Sequence, residues 1–403
     1  MIVFLWLLLV VGCDDSSTDR TASSPCRADA PPVQLASKLD DDDGDGNPID
    51  ENFPIINDED DDIADHAWIE DRSGTYHLFF HGENLYYPNQ IEHYTTRDFQ
   101  SLDYIGVALT VNLGAWDSDA LWAPHVVEHD GTYFMFYTGV AESGVDAIQR
   151  IGLATSTDLV TWTRTPVNRC PGTSGDGCIY ECDEPWTTWG DAGGSFNHQC
   201  RDPFVMWDAD AQRWLMFATA KSVNQFGAVT VASASDLSDW TGEGFIDATR
   251  RLANGVGAQT TGGQAENPFV VTNDGLHFLL FTDWEDPQDS VSVANPRTIA
   301  QYATSPSLSI DTSGSADWSY RGYLPDTGVN AIEVVELGHH PRWLMSQSIS
   351  SPAAGYPRTQ RRTLLLRCAT WGADGSVETS NWGPTNALYS RSTSFRDLVS
   401  PEK

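Results

Sequence analysis

The chain predicts an all-β fold, a five-bladed β-propeller, and three observations carry that prediction. First, a hairpin of two short apolar strands recurs five times at intervals of roughly 60–80 residues, the period of blades around an axis. Second, in three copies a carboxylate heads the first strand: Asp65 in Ala64-Asp65-His66-Ala67-Trp68, Asp202 in Cys200-Arg201-Asp202-Pro203-Phe204, and Glu266 in Ala265-Glu266-Asn267-Pro268-Phe269. Nine residues beyond each stands Gly74, Ala211 or Gly275, inside a turn signal that opens an aromatic strand. Third, a closing turn repeats in Thr96-Arg97-Asp98-Phe99, Ser156-Thr157-Asp158-Leu159 and Ala234-Ser235-Asp236-Leu237. The first strand of each blade lines the central channel, so equal phase in three blades places three carboxylates at one mouth of it.

Residues 1–13 come first. Ile2 to Val11 are almost wholly apolar, too short to span a bilayer but the length of a signal h-region. The ending Val10-Val11-Gly12-Cys13 resembles a bacterial lipobox, which implies lipidation of Cys13 and an extracytoplasmic place in the bacterial cell envelope, lipid-anchored or secreted. Residues 14–62 read as a polar tether. Its second half, Asp40 to Asp62, holds ten Asp and two Glu with no Lys or Arg. Asp41, Asp43 and Asp45 alternate ahead of Gly46, the opening of a calcium loop in which hard oxygens surround the ion and Gly permits the turn. The EF-hand Glu is replaced by Asn52, so a structural calcium and a solvated, self-repelling spacer are both expectations for this stretch.

The predicted propeller occupies residues 63–403. Blade one runs from Asp65 through Tyr76-His77-Leu78-Phe79-Phe80. Blade two pairs Trp122-Ala123-Pro124-His125 with Thr132-Tyr133-Phe134-Met135-Phe136-Tyr137, without a carboxylate. Blade three carries Asp202 ahead of Arg213-Trp214-Leu215-Met216-Phe217, and blade four Glu266 ahead of Leu276 to Phe281. Blade five, the weakest copy, begins Asn330-Ala331-Ile332-Glu333 and returns through Trp343-Leu344-Met345. In the closing turns the Asp caps the backbone, and Trp162 and Trp240, four residues on, pack between blades. Between Arg169 and Gln199 lies the longest interruption. Setting Cys13 aside, six cysteines remain (Cys26, Cys170, Cys178, Cys182, Cys200, Cys368), an even count that points to disulfides in an oxidising compartment. A zinc set of Cys178, Cys182, Cys200 and His198 matches no established spacing.

The repeat, with Arg201-Asp202-Pro203, Trp122-Ala123-Pro124-His125 and Ala265-Glu266-Asn267-Pro268, resembles the five-bladed-propeller glycosidases of families 43 and 32: arabinanases, β-xylosidases, invertases, levanases and levansucrases. The resemblance implies a glycoside hydrolase in which Asp65 is base or nucleophile, Asp202 stabilises the transition state or tunes the acids, and Glu266 is the general acid. It implies that Arg201 bonds sugar hydroxyls. His125 and His198 are further pocket candidates, and Trp122, Trp186, Trp189 and Trp284 are candidate sugar platforms near blade mouths, an indole face suiting the C–H face of a sugar ring. Hydrolysis of a glycosidic bond needs one carboxyl to protonate the leaving oxygen and one to attack or activate water, and a third charge steadies the oxocarbenium-like state between them. No cofactor is required. Blade five begins Asn330-Ala331-Ile332-Glu333, which does not match the start that the resemblance implies for an arabinanase-like axial calcium with its blade-five His.

Lys and Arg number 23 against 57 Asp and Glu, a formal charge of −34, which argues against nucleic acid or an anionic membrane surface as partner and leaves an oligo- or polysaccharide. The membrane enters only through the lipid anchor. Substrate signals are mixed, Arg201-Asp202-Pro203 leaning to fructosides and Trp122-Ala123-Pro124-His125 to arabinosides and xylosides. Two other classes compete. A propeller phosphorylase needs a basic cluster for phosphate, which one Arg hardly supplies, and a non-catalytic glycan-binding lipoprotein has no use for three acids.

Overall fold

The computed structural model describes residues 26–27, 33–35, 63, 65–81, 88–99, 102–141, 147–189, 198–223, 227–246, 265–284, 298–313, 317–324, 329–337, 343–350 and 362–382. Two short strands come first, β1 (Cys26–Arg27) and β2 (Val33–Leu35). Blade one is the antiparallel meander β3 (His66–Glu70), β4 (Tyr76–His81), β5 (Gln90–Thr96) and β6 (Asp103–Thr110). Blade two is β7 (Ala120–His129), β8 (Thr132–Ala141), β9 (Ile148–Ser156) and β10 (Thr163–Arg164), with β11 (Cys178–Tyr180) also on β9. Blade three is β12 (Cys200–Asp208), β13 (Arg213–Lys221), β14 (Gly227–Ala234) and β15 (Thr241–Ile246). Blade four is β16 (Ala265–Asn273), β17 (Leu276–Trp284), β18 (Thr298–Ser305) and β19 (Ser319–Tyr323). Blade five is β20 (Val329–Glu336), β21 (Trp343–Ser350), β22 (Arg362–Trp371) and β23 (Val377–Trp382). The fold is the predicted five-bladed propeller, and no helix occurs among the described residues.

Blade faces stack on one another, so strands are buried on both faces and lose simple alternation. β4, Tyr-His-Leu-Phe-Phe-His, is buried at every position. Apolar clusters join neighbours around the ring: Phe79 of blade one with Met135 and Tyr137 of blade two, Phe136 with Met216, and Phe217 with Phe278 and Leu280. The last joint brings Leu78 and Phe80 of blade one against Leu344, Leu364 and Leu366 of blade five. There Ser346 accepts a 3.0 Å bond from Trp68 Nε1 and lies 2.6 Å from His66 Nε2.

The closing turns are built as expected. Asp158 Oδ1 accepts the backbone N–H groups of Val160 and Thr161, and Asp236 Oδ1 those of Ser238 and Asp239. Phe99, Leu159 and Leu237 take positive φ at the same place in the turn. Trp162 packs edge-on against Phe79 of the preceding blade, and Trp240 against Phe136.

One stretch read as tether is partly sheet. β1 pairs with β23 and β2 with β22, so the segment ahead of the acidic run adds to blade five. Val33-Gln34-Leu35 alternates apolar and polar residues, which suits an edge against Leu364 and Leu366. Cys13 and the acidic run of Asp41, Asp43 and Asp45 lie outside the described residues.

Candidate active site

The innermost strands of blades two, three and four each break register at the same point: between Trp122 and His125, Arg201 and Phe204, and Glu266 and Phe269. The local sequence explains the break. Pro124, Pro203 and Pro268 have no N–H to give a ladder and are tolerated at bulges. The residue before each is left-handed, Ala123 at φ 43°, Asp202 at 56° and Asn267 at 51°, and Asp and Asn accept that region better than most. Blade five bulges once, between Asn330 and Ile332, with Ala331 at φ 47°. In a regular strand, consecutive side chains point to opposite faces. The bulge re-aims them, so Arg201 and Asp202 meet, Nε 3.4 Å from Oδ2.

Register also corrects the phase read from the sequence. Arg201 pairs with Thr219 and Glu266 with Thr282, each one residue before the left-handed position, so Glu266 matches Arg201 and Trp122 and lies one place ahead of Asp202. Counting back from turns misleads because turns differ. Residues 274–275 alone join β16 to β17, whereas 209–212 join β12 to β13 and 71–75 join β3 to β4.

The three acids nevertheless meet. Arg201 Nη2 donates to Glu266 Oε1 at 2.6 Å. Asp202 Oδ2 accepts from Thr219 Oγ1 at 2.7 Å and from the Asn267 backbone N–H at 3.1 Å, while its own N–H donates to Thr138 Oγ1 at 2.9 Å. Asn267 Nδ2 donates to Asp65 Oδ1 at 3.0 Å, and His81 Nδ1 lies 3.9 Å from the other oxygen of Asp65. Residues of blades one, three and four thus form one chain of contacts, Asp65–Asn267–Asp202–Arg201–Glu266, in which the Asn267 backbone N–H makes the second link and the Asp202–Arg201 ion pair the third. Asp202 is 4% exposed against 18% for Asp65 and 16% for Glu266, so the outer two acids present more surface to a ligand.

Asp65 and Asp202 line a pocket of about 270 Å³, counted out to open solvent, to which every blade contributes: Asp65 and His66, Ala123 and Pro124, Asp202 and Pro203, Asn267 and Pro268, Ala331 and Glu333. Glu266 and Arg201 adjoin this set through Asn267 and Asp202 without lining the pocket themselves. Burial, reinforced by the charges of Asp65 and Glu266, pushes the Asp202 carboxyl up to about 7 against the pull of Arg201. Glu333 is a fourth acid at the axis, held well above the usual carboxylate range by burial. In the sequence it stands only as part of the start of blade five, and its phase against the bulge at Ala331 is the signal that marks it.

Other candidates fall in different places. His125 is buried beneath the site, its Nε2–H donating to Val205 O at 3.0 Å and its ring against Phe204, and it does not line the pocket. Desolvation lowers it to about 4. Trp122 is half-buried at the blade-two bulge and its indole N–H has no partner. Trp186 sits in the cysteine-rich insertion, its Nε1 3.4 Å from Thr230 Oγ1. Trp284 ends β17, and its side chain lies outside the described residues. Arg201 spends its donors on protein groups. Disulfides Cys170–Cys178 and Cys182–Cys200 tie the insertion, and Cys368 is also disulfide-bonded, which leaves no thiolate zinc set. Among the described residues no group of three or more His, Cys, Asp or Glu is placed to hold a metal ion.

Comparison with known proteins follows the same lines. Residues 54–377 match the sequence model described as glycosyl hydrolases family 43. A probable sucrose-6-phosphate hydrolase of Psychromonas ingrahamii is 27% identical over 177 residues, 42% of this chain and 28% of that protein, so the match spans under a third of the relative. Among solved structures, sucrose-6-phosphate hydrolase from Lactobacillus gasseri superposes with a TM-score of 0.58 at 15% identity, covering 80% of this chain and 63% of that one. The endo-arabinase from Bacteroides thetaiotaomicron gives 0.53 at 18% identity, covering 78% and 96%. At these identities the likeness is one of fold.

Proposed function

The chain belongs to glycosyl hydrolases family 43 and is by family a glycoside hydrolase, and from that premise we propose that it cleaves furanosidic or xylosidic bonds of plant or microbial glycans outside the cytoplasm. The observation that carries the reading is the chain of contacts that links Asp65, Asp202 and Glu266 through Asn267 and Arg201, with Asp65, Asp202 and Asn267 lining the axial pocket. Asp65 and Glu266, the two more exposed acids, take the reacting positions. Glu266 protonates the leaving oxygen while Asp65 attacks the anomeric carbon or removes a proton from the attacking water. Asp202, deep between them, faces the positive charge that develops on the sugar ring and keeps Arg201 in place.

An extracytoplasmic setting agrees with the disulfide-bonded insertion. A neutral sugar agrees with a pocket that has no Lys or Arg among its described lining residues and with an Arg201 already engaged by acids.

The test is Glu266→Gln assayed on two kinds of substrate. General-acid help is worth about 10² to 10⁴ in rate, and only for leaving groups that need it. Arabinan, xylan-derived and fructan oligosaccharides should lose at least the lower of those factors, whereas aryl furanosides or xylosides with a nitrophenol leaving group should keep much of their rate. Equal loss on both kinds would assign the proton to another residue.

A further inference from the structure

The guanidinium of Arg201 is a planar fork whose donors point in fixed directions. Two directions serve acids: Nη2 meets Glu266 Oε1 at 2.6 Å, and Nε lies 3.4 Å from Asp202 Oδ2. The third reaches blade two. Nη1 donates at 3.2 Å to Oε1 of Gln149, on β9 of blade two. Gln149 is 6% exposed, and its backbone N–H donates to His198 O at 3.2 Å. Two residues beyond His198 is Cys200, disulfide-bonded to Cys182 and adjoining Arg201. On its other side Arg150 pairs with Glu181 and lies over the Trp189 ring at 5.6 Å. Gln149 is therefore fixed at both ends, and the group it presents to Arg201 is neutral.

Neutrality matters because Arg201 is a single cation among three acids, Asp202 of its own strand, Glu266 of β16 and Asp65 ahead of β3. A carboxylate at position 149 would divide its charge further, and an apolar side chain would take the Gln149 acceptor away from Nη1. We propose that Gln149 is a positioning residue for glycoside hydrolysis: it anchors Arg201 from blade two so that one guanidinium serves Asp202 and Glu266 together. The inference rests on the hydrolase reading above, although Gln149 touches neither sugar nor reacting atom.

Two variants test it, Gln149→Met, which keeps shape and removes the acceptor, and Gln149→Glu, which keeps the acceptor and adds charge. Both are first matched to wild type by circular dichroism. Gln149→Met should lower kcat on a nitrophenyl glycoside about 10- to 100-fold, the scale of a misplaced catalytic group, with KM within about twofold. In Gln149→Glu, the Asp202 carboxyl, followed by carbon NMR and assigned with Asp202→Asn, should titrate about half a unit to one unit higher than in wild type, since a further negative charge disfavours ionisation. A folded Gln149→Glu protein with an unmoved Asp202 titration, or a Gln149→Met protein at wild-type kcat, overturns the proposal. The titration needs no turnover. A wild type that hydrolyses no glycoside while Asp202 still moves would sink the hydrolase reading alone.

Discussion

At the scale of one residue, Asp202 carries the clearest conflict between function and stability. In the unfolded chain it ionises near 3.8, whereas burial between blades pushes it up to about 7. Between those values the folded protein holds a proton the unfolded chain has released, so rising pH through that window costs stability, and below it Asp202 contributes no pH dependence. Asp202→Asn preserves the shape and removes the titration. Its melting temperature relative to wild type should therefore climb between pH 4 and pH 8 while hydrolysis falls by orders of magnitude. A difference independent of pH would mean that Asp202 is ionised throughout the range. The left-handed backbone here is a second cost, since Asp202 precedes Pro203, and such conformations persist only where surroundings enforce them.

At the scale of the element, blades are joined by aromatic side chains leaving their closing turns. Trp162, its indole N–H bonded to Leu159 O at 2.9 Å, fills the space against Phe79. Trp162→Ala should cost about 3–5 kcal/mol by the measure of buried aromatic truncations, read as a lower midpoint in urea unfolding. A loss below about 1 kcal/mol would show that the joint collapses around the gap. These turns were legible because their residues act locally: Asp158 caps its own loop and Trp162 follows at fixed spacing. The bulges were not. Pro203 and Pro268 marked them, but a count from the turn takes all hairpin connections as equal, and the two extra residues in 209–212 hid the true phase of Glu266. Asp65, Asp202 and Glu266 were legible as a set even so, because the bulge gathers neighbouring positions onto one mouth. Gln149 was invisible for another reason, since what it does depends on contacts between blades.

At the scale of the molecule, a ring must close, and here Ser346 of blade five holds His66 and Trp68 of blade one. Ser346→Ala strands two buried polar groups and should cost about 1–3 kcal/mol for each left unsatisfied. A melting temperature equal to that of wild type would show that the apolar contacts at this joint suffice alone. Burial lowers His66 from 6.5 to about 3, so its neutral form is compatible with folding at neutral pH. As pH falls below 6.5 the unfolded chain takes up a proton that the folded chain refuses, and closure weakens progressively towards pH 3.

The bulged inner strands have a consequence for how such a molecule can be re-engineered. Each left-handed position is a socket at the axis whose residue lines the pocket. Nature has filled the sockets unevenly, with Ala123, Asp202, Asn267 and Ala331. The two alanines are the least suited to positive φ, and Asn tolerates it better. Ala123→Asn and Ala331→Asn therefore suit the backbone of blades two and five and place a polar group in the lining of the pocket, while Asp65, Asp202 and Glu266 stay in their own blades.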